Sequence, residues 1–441
     1  MKPFTRVIAY LLLVLTVSTS LLSLPAAAEQ ASNEPVPPEI THAQGVYLYN
    51  LEHDVPLLTY REDEQIYPAS TVKIMTGLVA VEALSERLDE RVTITSEMLK
   101  NVKGNNIALK AGETVSVRDM LYAALCGGYN DACAVLAHLV GGSINAFVVM
   151  MNDRAAELGA ENTHYTNPSG MHHADMVTTT ADTAKIALAA ARNPLYMEIT
   201  SASKYIMPAT NITGERNIYN RNYLIARNKE VIYYYASARG LNSGSTNEGG
   251  YCLATTAEKD GLTYLCIVMG GEEVEGKITS YTLARTLLDW AFDHFGYVTV
   301  LDTDRMVCEV PVTLSDKVDY VTLVPETSVT HYLPTTLDPA VDLTYTHNIT
   351  SASLAAPVTE GQVAGFITVK YGDEVLGTVN LVTKNSVERS EFLYVLSRIK
   401  AFSRSRFFIA AVIAAIILTV VYIFGTAIHR YRKQQRYMRF K

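Results

Sequence analysis

Residues 67–73 read Tyr-Pro-Ala-Ser-Thr-Val-Lys, and a largely apolar run follows from Ile74 to Leu84. The apolar run predicts a core helix that begins near Ser70, just behind a proline. On such a helix Ser70 and Lys73 share one face, one turn apart. A serine hydroxyl is a weak nucleophile at neutral pH, but a partly desolvated lysine within hydrogen-bond reach can act as its base. The stretch therefore indicates a helix that presents a nucleophile and its base.

The same spacing occurs twice more, at Ser201 with Lys204 and at Ser397 with Lys400. Neither pair opens a long apolar helix behind a proline, and the second pair lies in a basic segment. Spacing alone also allows a second interpretation of the first pair, in which Ser70 only caps a core helix and its lysine is solvated. The spacing by itself leaves both interpretations open.

The two ends of the chain carry apolar segments of different kinds. Residues 1–28 combine Lys2 and Arg6 with an apolar run and a small-residue cleavage pattern, which is typical of a secretory signal. Residues 407–428 carry no charge and are numerous enough to span a bilayer, and the tail at 429–441 is basic. Because positive charge stays on the cytoplasmic side, we expect an extracytoplasmic ectodomain, a single span and a short cytoplasmic tail.

The charge of the expected ectodomain excludes two classes of partner. Residues 29–397 hold 25 basic and 45 acidic residues, a balance of −20. Such an excess of negative charge argues against nucleic acid and anionic lipid as its ligands.

Five cysteines lie in the same region, which is an odd number. Buried free thiols are one interpretation. A second is that Cys252 and Cys266 approach each other on the two arms of a hairpin that turns at residues 259–261. No cysteine or histidine pattern has the spacing of a metal site, so we expect no metal.

Hydrophobic periodicity divides the chain into regions. Residues 29–41 are rich in Pro, Ser, Asn and Glu and indicate a flexible lead-in. Within residues 42–297, strand patterns precede and follow a long helical block, which predicts one α+β domain with a sheet built from distant segments. Residues 298–385 have turn signals and no helical period, as expected for a small all-β domain. Residues 386–406 have apolar and basic residues at helical spacing and predict an amphipathic segment that leads into the span.

The order of short motifs resembles the low-molecular-mass penicillin-binding proteins, the serine-type D-alanyl-D-alanine carboxypeptidases that trim peptidoglycan stem peptides. The resemblance covers about residues 40–297 and is carried by the stretches 67–76, 109–113, 130–133, 151–159, 163–170, 220–222 and 268–271. It implies a penicillin-binding-protein/β-lactamase-like transpeptidase domain, followed by a β-domain and a C-terminal membrane anchor. It further implies the stem peptide as substrate, β-lactams as covalent ligands, and no metal or organic cofactor.

The resemblance also implies roles for individual residues. The family uses a Ser-x-x-Lys motif, a Ser-x-Asn motif on a loop and a Lys-Thr/Ser-Gly motif on a strand. Carried over, Ser70 attacks the carbonyl of the penultimate D-alanine and Lys73 takes its proton. Asn130 binds the substrate backbone. The oxyanion lies between the backbone N–H groups of Ser70 and Ser245, the residue after the third motif.

Two positions depart from these motifs. Gly128 stands where the second motif has serine, and the third motif here is Asn242-Ser243-Gly244, with asparagine in place of lysine. The first change removes a hydroxyl that would relay a proton, and the second removes a cation that would hold the substrate's carboxylate. Restoring both residues is expected to raise the rate of acylation by penicillin at least about tenfold.

Neighbouring residues offer candidates for compensation. Arg239 and Lys229 are nearby cations, although each also fits the interpretation of a solvated charge. Cys126 and Tyr129 flank the altered loop and are expected to pack there.

Two functions from different classes follow. The first is a membrane-anchored carboxypeptidase that acts through a Ser70 acyl-enzyme. The alternative is a catalytically weak or inactive relative that serves as a membrane-anchored peptidoglycan-binding or scaffold protein. A β-lactamase is disfavoured because the sequence has no Glu-x-x-Leu-Asn segment to supply a deacylating glutamate.

Overall fold

The computed structural model of the chain describes residues 35–226 and 231–438, without the side chain of Tyr437. The predicted signal at residues 1–28 and the candidate cation Lys229 lie outside the described residues. The chain forms two compact units. The first holds the residues up to Gly296 together with Tyr332–Thr336, and the second holds residues 297–331 and those from Leu337 onward.

The first unit is a mixed α+β structure, as the sequence predicts. Its helices are α1 (Val72–Leu84), α2 (Val117–Leu125), α3 (Asn130–Gly141), α4 (Ile144–Glu157), α5 (Thr180–Ala191), α6 (Pro194–Ser201) and α7 (Thr279–His294). Its strands are β1 (Gly45–Asn50), β2 (Val55–Tyr60), β3 (Arg91–Thr93), β4 (Thr114–Ser116), β5 (Lys204–Met207), β6 (Arg216–Tyr219), β7 (Ala238–Thr246), β8 (Gly250–Lys259), β9 (Leu262–Gly271), β10 (Glu273–Val274) and β11 (Lys277–Ile278).

The main sheet of this unit is antiparallel and has the order β2-β1-β9-β8-β7. Strands β8 and β9 form the predicted hairpin, in which Asp260 and Gly261 have φ values of 53° and 79°. Positive φ at both turn residues matches the twist of the flanking strands. The N-terminal strand β1 pairs with β9, with Val46 opposite Val268. The sheet is therefore assembled from distant segments, as expected.

The sheet separates two hydrophobic clusters. Side chains on β9 alternate between them, so that Ile267 packs with residues of α1 to α6 and Val268 packs with residues of α7. Burying a large apolar side chain contributes roughly 1.5–3 kcal/mol, so both faces of the sheet stabilise the unit.

The two cysteines of the hairpin lie on opposite faces of this sheet. Cys252 belongs to the cluster that contains α1, and Cys266 belongs to the cluster that contains α7. Both are buried free thiols. The interpretation that they approach each other is wrong, because their positions on β8 and β9 direct their side chains to different faces.

Helix α1 lies at the centre of the first cluster. All residues from 72 to 81 are buried, which is expected of a helix that is apolar on every face. Neighbouring helices approach closely at Gly77, where an added Cβ would lie 2.2 Å from a methyl carbon of Leu125 and 2.8 Å from the ring of Tyr196. Because neighbouring residues surround α1 on every side, the first turn of this helix has little freedom to move.

The second unit contains the predicted all-β domain. The strands that lie wholly or partly in this unit are β12 (Phe295–Leu301), β13 (Cys308–Thr313), β14 (Tyr320–Pro325), β15 (Val329–Pro334), β16 (Leu343–Ile349), β17 (Leu354–Ala355), β18 (Val363–Tyr371) and β19 (Glu374–Thr383). Six of them form one sheet in the order β16-β18-β19-β14-β13-β17. Hydrophobic residues alternate along these strands, as in Val310, Val312, Val321 and Leu323, which are buried.

Two helices end the described chain, α8 (Glu391–Ser403) and α9 (Arg406–Met438). The surface of α8 exposes large apolar side chains at helical spacing, namely Phe392, Val395, Leu396, Ile399 and Phe402. Residues Arg406–Arg436 of α9 have a mean hydropathy of 2.9 over their most apolar window and are long enough to cross a membrane. This confirms the prediction that residues 407–428 form a helix of membrane-spanning length.

Candidate active site

Ser70 lies in a single turn of 3-10 helix, Ala69–Thr71, and α1 begins two residues later at Val72. The Lys73 Nζ donates a hydrogen bond to the Ser70 Oγ at 3.2 Å. The Lys73 side chain is only 2% exposed. The structure thus brings the two residues into contact, and the interpretation of Lys73 as a solvated lysine is wrong.

The surroundings of Lys73 favour its neutral amine. Burial lowers the pKa of Lys73, and the Arg221 guanidinium lowers it further. A thiolate at Cys133 would act in the opposite direction and raise it. However, burial raises the pKa of Cys133 to about 11, so the thiol is uncharged at neutral pH. A lysine in this environment can accept a proton from a neighbouring hydroxyl.

A tight turn, which we call the Asn167 turn (residues 167–170), holds the lysine from the other side. The Lys73 Nζ donates to the Ser169 carbonyl oxygen at 2.5 Å. The Asn167 Oδ1 accepts from the backbone N–H groups of Ser169 and Gly170, at 3.1 and 2.9 Å. Gly170 has φ +78°, and a Cβ there would lie 2.1 Å from the Ala69 carbonyl oxygen. Only glycine fits this close approach to the nucleophile's turn.

Strand β7 forms the wall opposite the nucleophile. A Cβ at Gly244 would lie 2.4 Å from the Ser70 Cβ and 2.6 Å from its Oγ. The backbone of the third motif therefore lies directly against Ser70, and Ser245 follows at the next position. This approach explains why the motif requires a glycine at its third position.

The other two residues of the third motif have different surroundings. Asn242 shares the strand face of Gly244 by alternation; it is 3% exposed, and its Oδ1 has no hydrogen-bond partner in the described part of the chain. The Ser243 Oγ instead donates to the Arg221 carbonyl oxygen at 2.8 Å and accepts from the Tyr281 hydroxyl at 2.9 Å. Ser243 thus fixes the strand, while Asn242 has a free acceptor.

Asn130 begins α3 and is held by the loop before α2. Its backbone N–H donates to the Asn105 carbonyl oxygen at 2.6 Å, and its Nδ2 donates to that of Lys103 at 2.7 Å. The buried Asn130 Oδ1 has no partner among the residues that the structure describes. A cavity of about 740 Å³ is lined by Lys103, Asn130 and Ser169, among others. Asn130 therefore faces the same cleft as the turn that holds Lys73.

Gly128 has φ +65°. Its carbonyl oxygen accepts a hydrogen bond from the Asn105 Nδ2 at 3.0 Å. The loop is thus held in a left-handed conformation that favours glycine. The flanking residues pack as predicted: Tyr129 contacts the core cluster, and the buried Cys126, whose pKa burial raises to about 12, donates to the Ala202 carbonyl oxygen.

The sequence-based candidate Arg239 fits the interpretation of a solvated charge. Its side chain is 43% exposed and lies 3.9 Å from Glu258. Arg221 instead lies beside the third-motif strand, where it lines a cavity of about 50 Å³ with Ser243, Gly244 and Ser245. The sequence indicates Arg221 only as part of a matching stretch, and its place in the fold could not be read from spacing.

The arrangement supplies a nucleophile, a buried base and a cleft with free hydrogen-bond acceptors. Among residues 35–226 and 231–438, no group of three or more His, Cys, Asp or Glu side chains is placed to hold a metal ion. The chemistry that these residues can perform is transfer of an acyl group through a serine ester.

Comparisons with known proteins agree with this chemistry. The family described as D-alanyl-D-alanine carboxypeptidase matches residues 33–273, more than half of the chain. The family described as penicillin-binding protein 5, C-terminal domain, matches residues 295–389.

Individual relatives give the same result. The chain is 26% identical over 355 residues to D-alanyl-D-alanine carboxypeptidase DacF of Bacillus subtilis, covering 79% of this chain and 87% of the relative. It is 33% identical over 228 residues to D-alanyl-D-alanine carboxypeptidase DacB2 of Mycobacterium tuberculosis, covering 51% and 74%. The crystal structure of penicillin binding protein 6B from Escherichia coli superposes with a TM-score of 0.58 and 25% identity, covering 79% of this chain and 97% of that chain. The chain therefore belongs to the D-alanyl-D-alanine carboxypeptidase family of penicillin-binding proteins, with the transpeptidase-like fold followed by the all-β domain.

Proposed function

We propose that this chain is a membrane-anchored D-alanyl-D-alanine carboxypeptidase that removes the last D-alanine from peptidoglycan stem peptides through a Ser70 acyl-enzyme. The observation that carries the proposal is the buried Lys73, whose amine contacts the Ser70 Oγ at 3.2 Å. Family membership supports the choice of substrate.

The proposed reaction begins with proton transfer from the Ser70 Oγ to the neutral Lys73 amine. The Oγ attacks the carbonyl carbon of the penultimate D-alanine, and the backbone N–H groups of Ser70 and Ser245 stabilise the oxyanion. Collapse of this intermediate breaks the peptide bond, and the leaving D-alanine takes the proton from Lys73. Water, deprotonated by the same amine, then releases the shortened peptide.

Known magnitudes indicate how much each group contributes. A positioned base is typically worth about 10²- to 10⁴-fold in rate. Loss of one oxyanion donor costs about 10²- to 10³-fold. Asn130 is proposed to bind the substrate backbone, since its amide lies in the cleft with a free oxygen. β-Lactams are proposed to acylate Ser70 by the same first step.

The membrane arrangement is part of the proposal. The apolar helix α9 would anchor the protein, with the basic tail in the cytoplasm and the residues before the span outside. An epitope near residue 330 should then be digested by protease added to intact cells, whereas an epitope at the C-terminus should be spared. Loss of the C-terminal epitope alone would contradict this topology.

The proposed function is tested with the full-length protein in detergent. Fluorescent penicillin should form a covalent adduct that mass spectrometry locates on Ser70, and D-alanine should be released from a synthetic peptide that ends in D-Ala-D-Ala. Ser70→Ala should abolish both results, whereas Ser201→Ala, at the second matching spacing, should change neither. Absence of both results in the unaltered protein would favour the scaffold alternative instead.

A further inference from the structure

The loop at residues 103–109, which we call the Asn105 loop, holds the second motif through hydrogen bonds. The carbonyl oxygen of Lys103 accepts from the Asn130 Nδ2 at 2.7 Å, and that of Asn105 accepts from the Asn130 backbone N–H at 2.6 Å. The Asn105 side chain in turn donates to the Gly128 carbonyl oxygen at 3.0 Å. The position of Asn130 therefore depends on the conformation of this loop.

The Asn105 loop also sets the direction of the Asn130 amide. Gly104 has φ +81°, and a Cβ there would lie 2.8 Å from the Asn130 Nδ2, so a glycine is required for this close approach. The bond from the Asn130 Nδ2 to Lys103 fixes the amide, whose buried Oδ1 has no partner within the described chain. A buried acceptor without a partner is costly, so an amide free to rotate would turn toward a protein donor. The loop prevents this and leaves the oxygen to a ligand.

Packing fixes only the far end of the Asn105 loop. Leu109 is buried, whereas residues 103–106 and Ala108 are exposed. The remaining anchor is the carboxylate of Asp131, which is 3% exposed and lies in the first turn of α3. It accepts from the backbone N–H groups of Ile107 and Leu109, both at 3.1 Å. Asp131 thus connects the loop to the helix that carries the second-motif asparagine.

We propose that Asp131 is a positioning residue for substrate binding: it fixes the Asn105 loop, and the loop orients the Asn130 amide in the cleft. This inference rests on the proposed function and adds to it a residue that does not itself contact the substrate. Asp131 is adjacent to Asn130 in the chain, but its carboxylate bonds to the loop, so its effect on the cleft passes through the loop.

The hydrogen bonds of Asp131 indicate which substitution tests this role. Its Oδ1 accepts from the N–H groups of Ile107 and Ala132, and its Oδ2 accepts from those of Ile107 and Leu109. An asparagine at this position would turn its NH2 group toward a backbone N–H in either orientation. Asp131→Asn therefore weakens the anchor of the loop with almost no change in side-chain size.

The test is a double-mutant cycle on binding. In full-length Ser70→Ala protein, calorimetry measures the affinity for a synthetic peptide that ends in D-Ala-D-Ala. Asn130→Ala and Asp131→Asn should each weaken binding about fivefold, the typical contribution of one hydrogen bond. If Asp131 acts through Asn130, both changes together should weaken binding no more than Asn130→Ala alone, whereas independent effects would multiply to about 25-fold.

A second variant covers the possibility that Asp131→Asn does not fold. Asn105→Ala lies at an exposed position and removes the side-chain bond to Gly128. It should also weaken peptide binding, and it should have no further effect once Asn130→Ala is present.

Asp119 is the matched control for Asp131. It is a buried carboxylate in the first turn of α2, where it accepts from the Ser116 backbone N–H at 3.0 Å. Asp119→Asn and Asp131→Asn should both lower the temperature of unfolding, because each removes a buried acceptor. Only Asp131→Asn should weaken peptide binding, which separates a positioning role from a merely structural one.

Three results would overturn the inference. The first is that the effects of Asn130→Ala and Asp131→Asn, or of Asn130→Ala and Asn105→Ala, multiply. The second is that Asp119→Asn weakens peptide binding as much as Asp131→Asn does. The third is that Ser70→Ala protein without further changes binds no peptide. Coupled binding effects in a protein whose Ser70-containing form releases no D-alanine would contradict the proposed function alone, so the two failures are distinguishable.

Discussion

The two walls of the cleft differ in how their polar groups are used. On the nucleophile wall, the Lys73 amine contacts both Ser70 and Ser169, and the Thr76 hydroxyl donates to the Pro168 carbonyl oxygen at 2.7 Å. On the facing wall, strand β7, the buried side-chain oxygen of Asn242 has no partner within the described chain.

The difference shows which wall completes its hydrogen bonds within the protein and which wall needs a ligand to complete them. Buried polar atoms are normally hydrogen-bonded, and an unpartnered one costs about 1–3 kcal/mol. The nucleophile wall avoids this cost through its own contacts. The facing wall carries it, as expected of a surface that completes its hydrogen bonds with substrate. One of the two motif departures, Asn242, also lies on this facing wall, whereas the nucleophile and its base are intact.

The largest effect is expected from removing the base. Lys73→Met should lower the rate of acylation by fluorescent penicillin about 10²- to 10⁴-fold, because the serine loses its proton acceptor. Lys204→Met, at the second matching spacing, is the control and should leave the rate unchanged. A loss of less than tenfold in Lys73→Met would show that another group acts as the base. The nucleophile wall would then not hold the complete catalytic pair.

Close packing between the walls is tested at Gly244. The added methyl group of Gly244→Ala would lie 2.4 Å from the Ser70 Cβ, so the strand must move away. We expect acylation to fall by about 10²-fold, the typical cost of misplacing reacting groups by about 1 Å. Gly214→Ala is the matched control, since a Cβ there meets nothing within 4 Å. Unchanged acylation in Gly244→Ala would mean that the walls adjust freely.

Restoration of the second motif separates the sequence-based expectation from the structural one. The structure predicts that Gly128→Ser lowers the free energy of unfolding by about 1–2 kcal/mol, because φ at this position is +65°. The new Cβ would also crowd the Arg221 Cγ at 3.2 Å. Thermal unfolding of the full chain measures the loss.

Gly142→Ser isolates the backbone part of this cost, because Gly142 has φ +73° and open space around it. Any excess loss in Gly128→Ser should disappear when Arg221→Ala is added. If Gly128→Ser with Asn242→Lys instead raises acylation tenfold without loss of stability, the sequence-based expectation holds and the facing wall is more adaptable than its packing indicates.

The smallest effect is a pH dependence of stability. Because burial lowers the pKa of Lys73, the unfolded chain binds a proton that the folded chain lacks between that lowered pKa and lysine's ordinary value of about 10.4. The free energy of unfolding contributed by this residue should therefore rise with pH across that window. The stability of the unaltered protein relative to Lys73→Met, measured in denaturant from pH 7 to 10, should increase. A flat or falling difference would contradict a buried lysine with a lowered pKa.

Local patterns in the sequence were sufficient for much of the fold. The apolar run behind Pro68 predicted α1, the residues 259–261 predicted the β8–β9 hairpin, and the uncharged stretch 407–428 predicted the helix α9. Each is decided by neighbouring residues, through periodicity, turn conformation or length. The contact between Ser70 and Lys73 was predictable for the same reason, since one helical turn joins them.

Contacts between distant segments were decided only by the tertiary structure. The Asn167 turn holds Lys73 across 96 positions of sequence, and Cys252 and Cys266 are separated by a sheet that their spacing does not reveal. Arg221 lies beside the third-motif strand because its backbone bonds to both Cys126 and Ser243, whereas the side chain of the candidate Arg239 is 43% exposed and lies near Glu258. The sequence determined which chemical groups are present and which neighbours along the chain can meet. Which cation and which turn surround the nucleophile depends on the packing of strands and loops that are far apart in the chain.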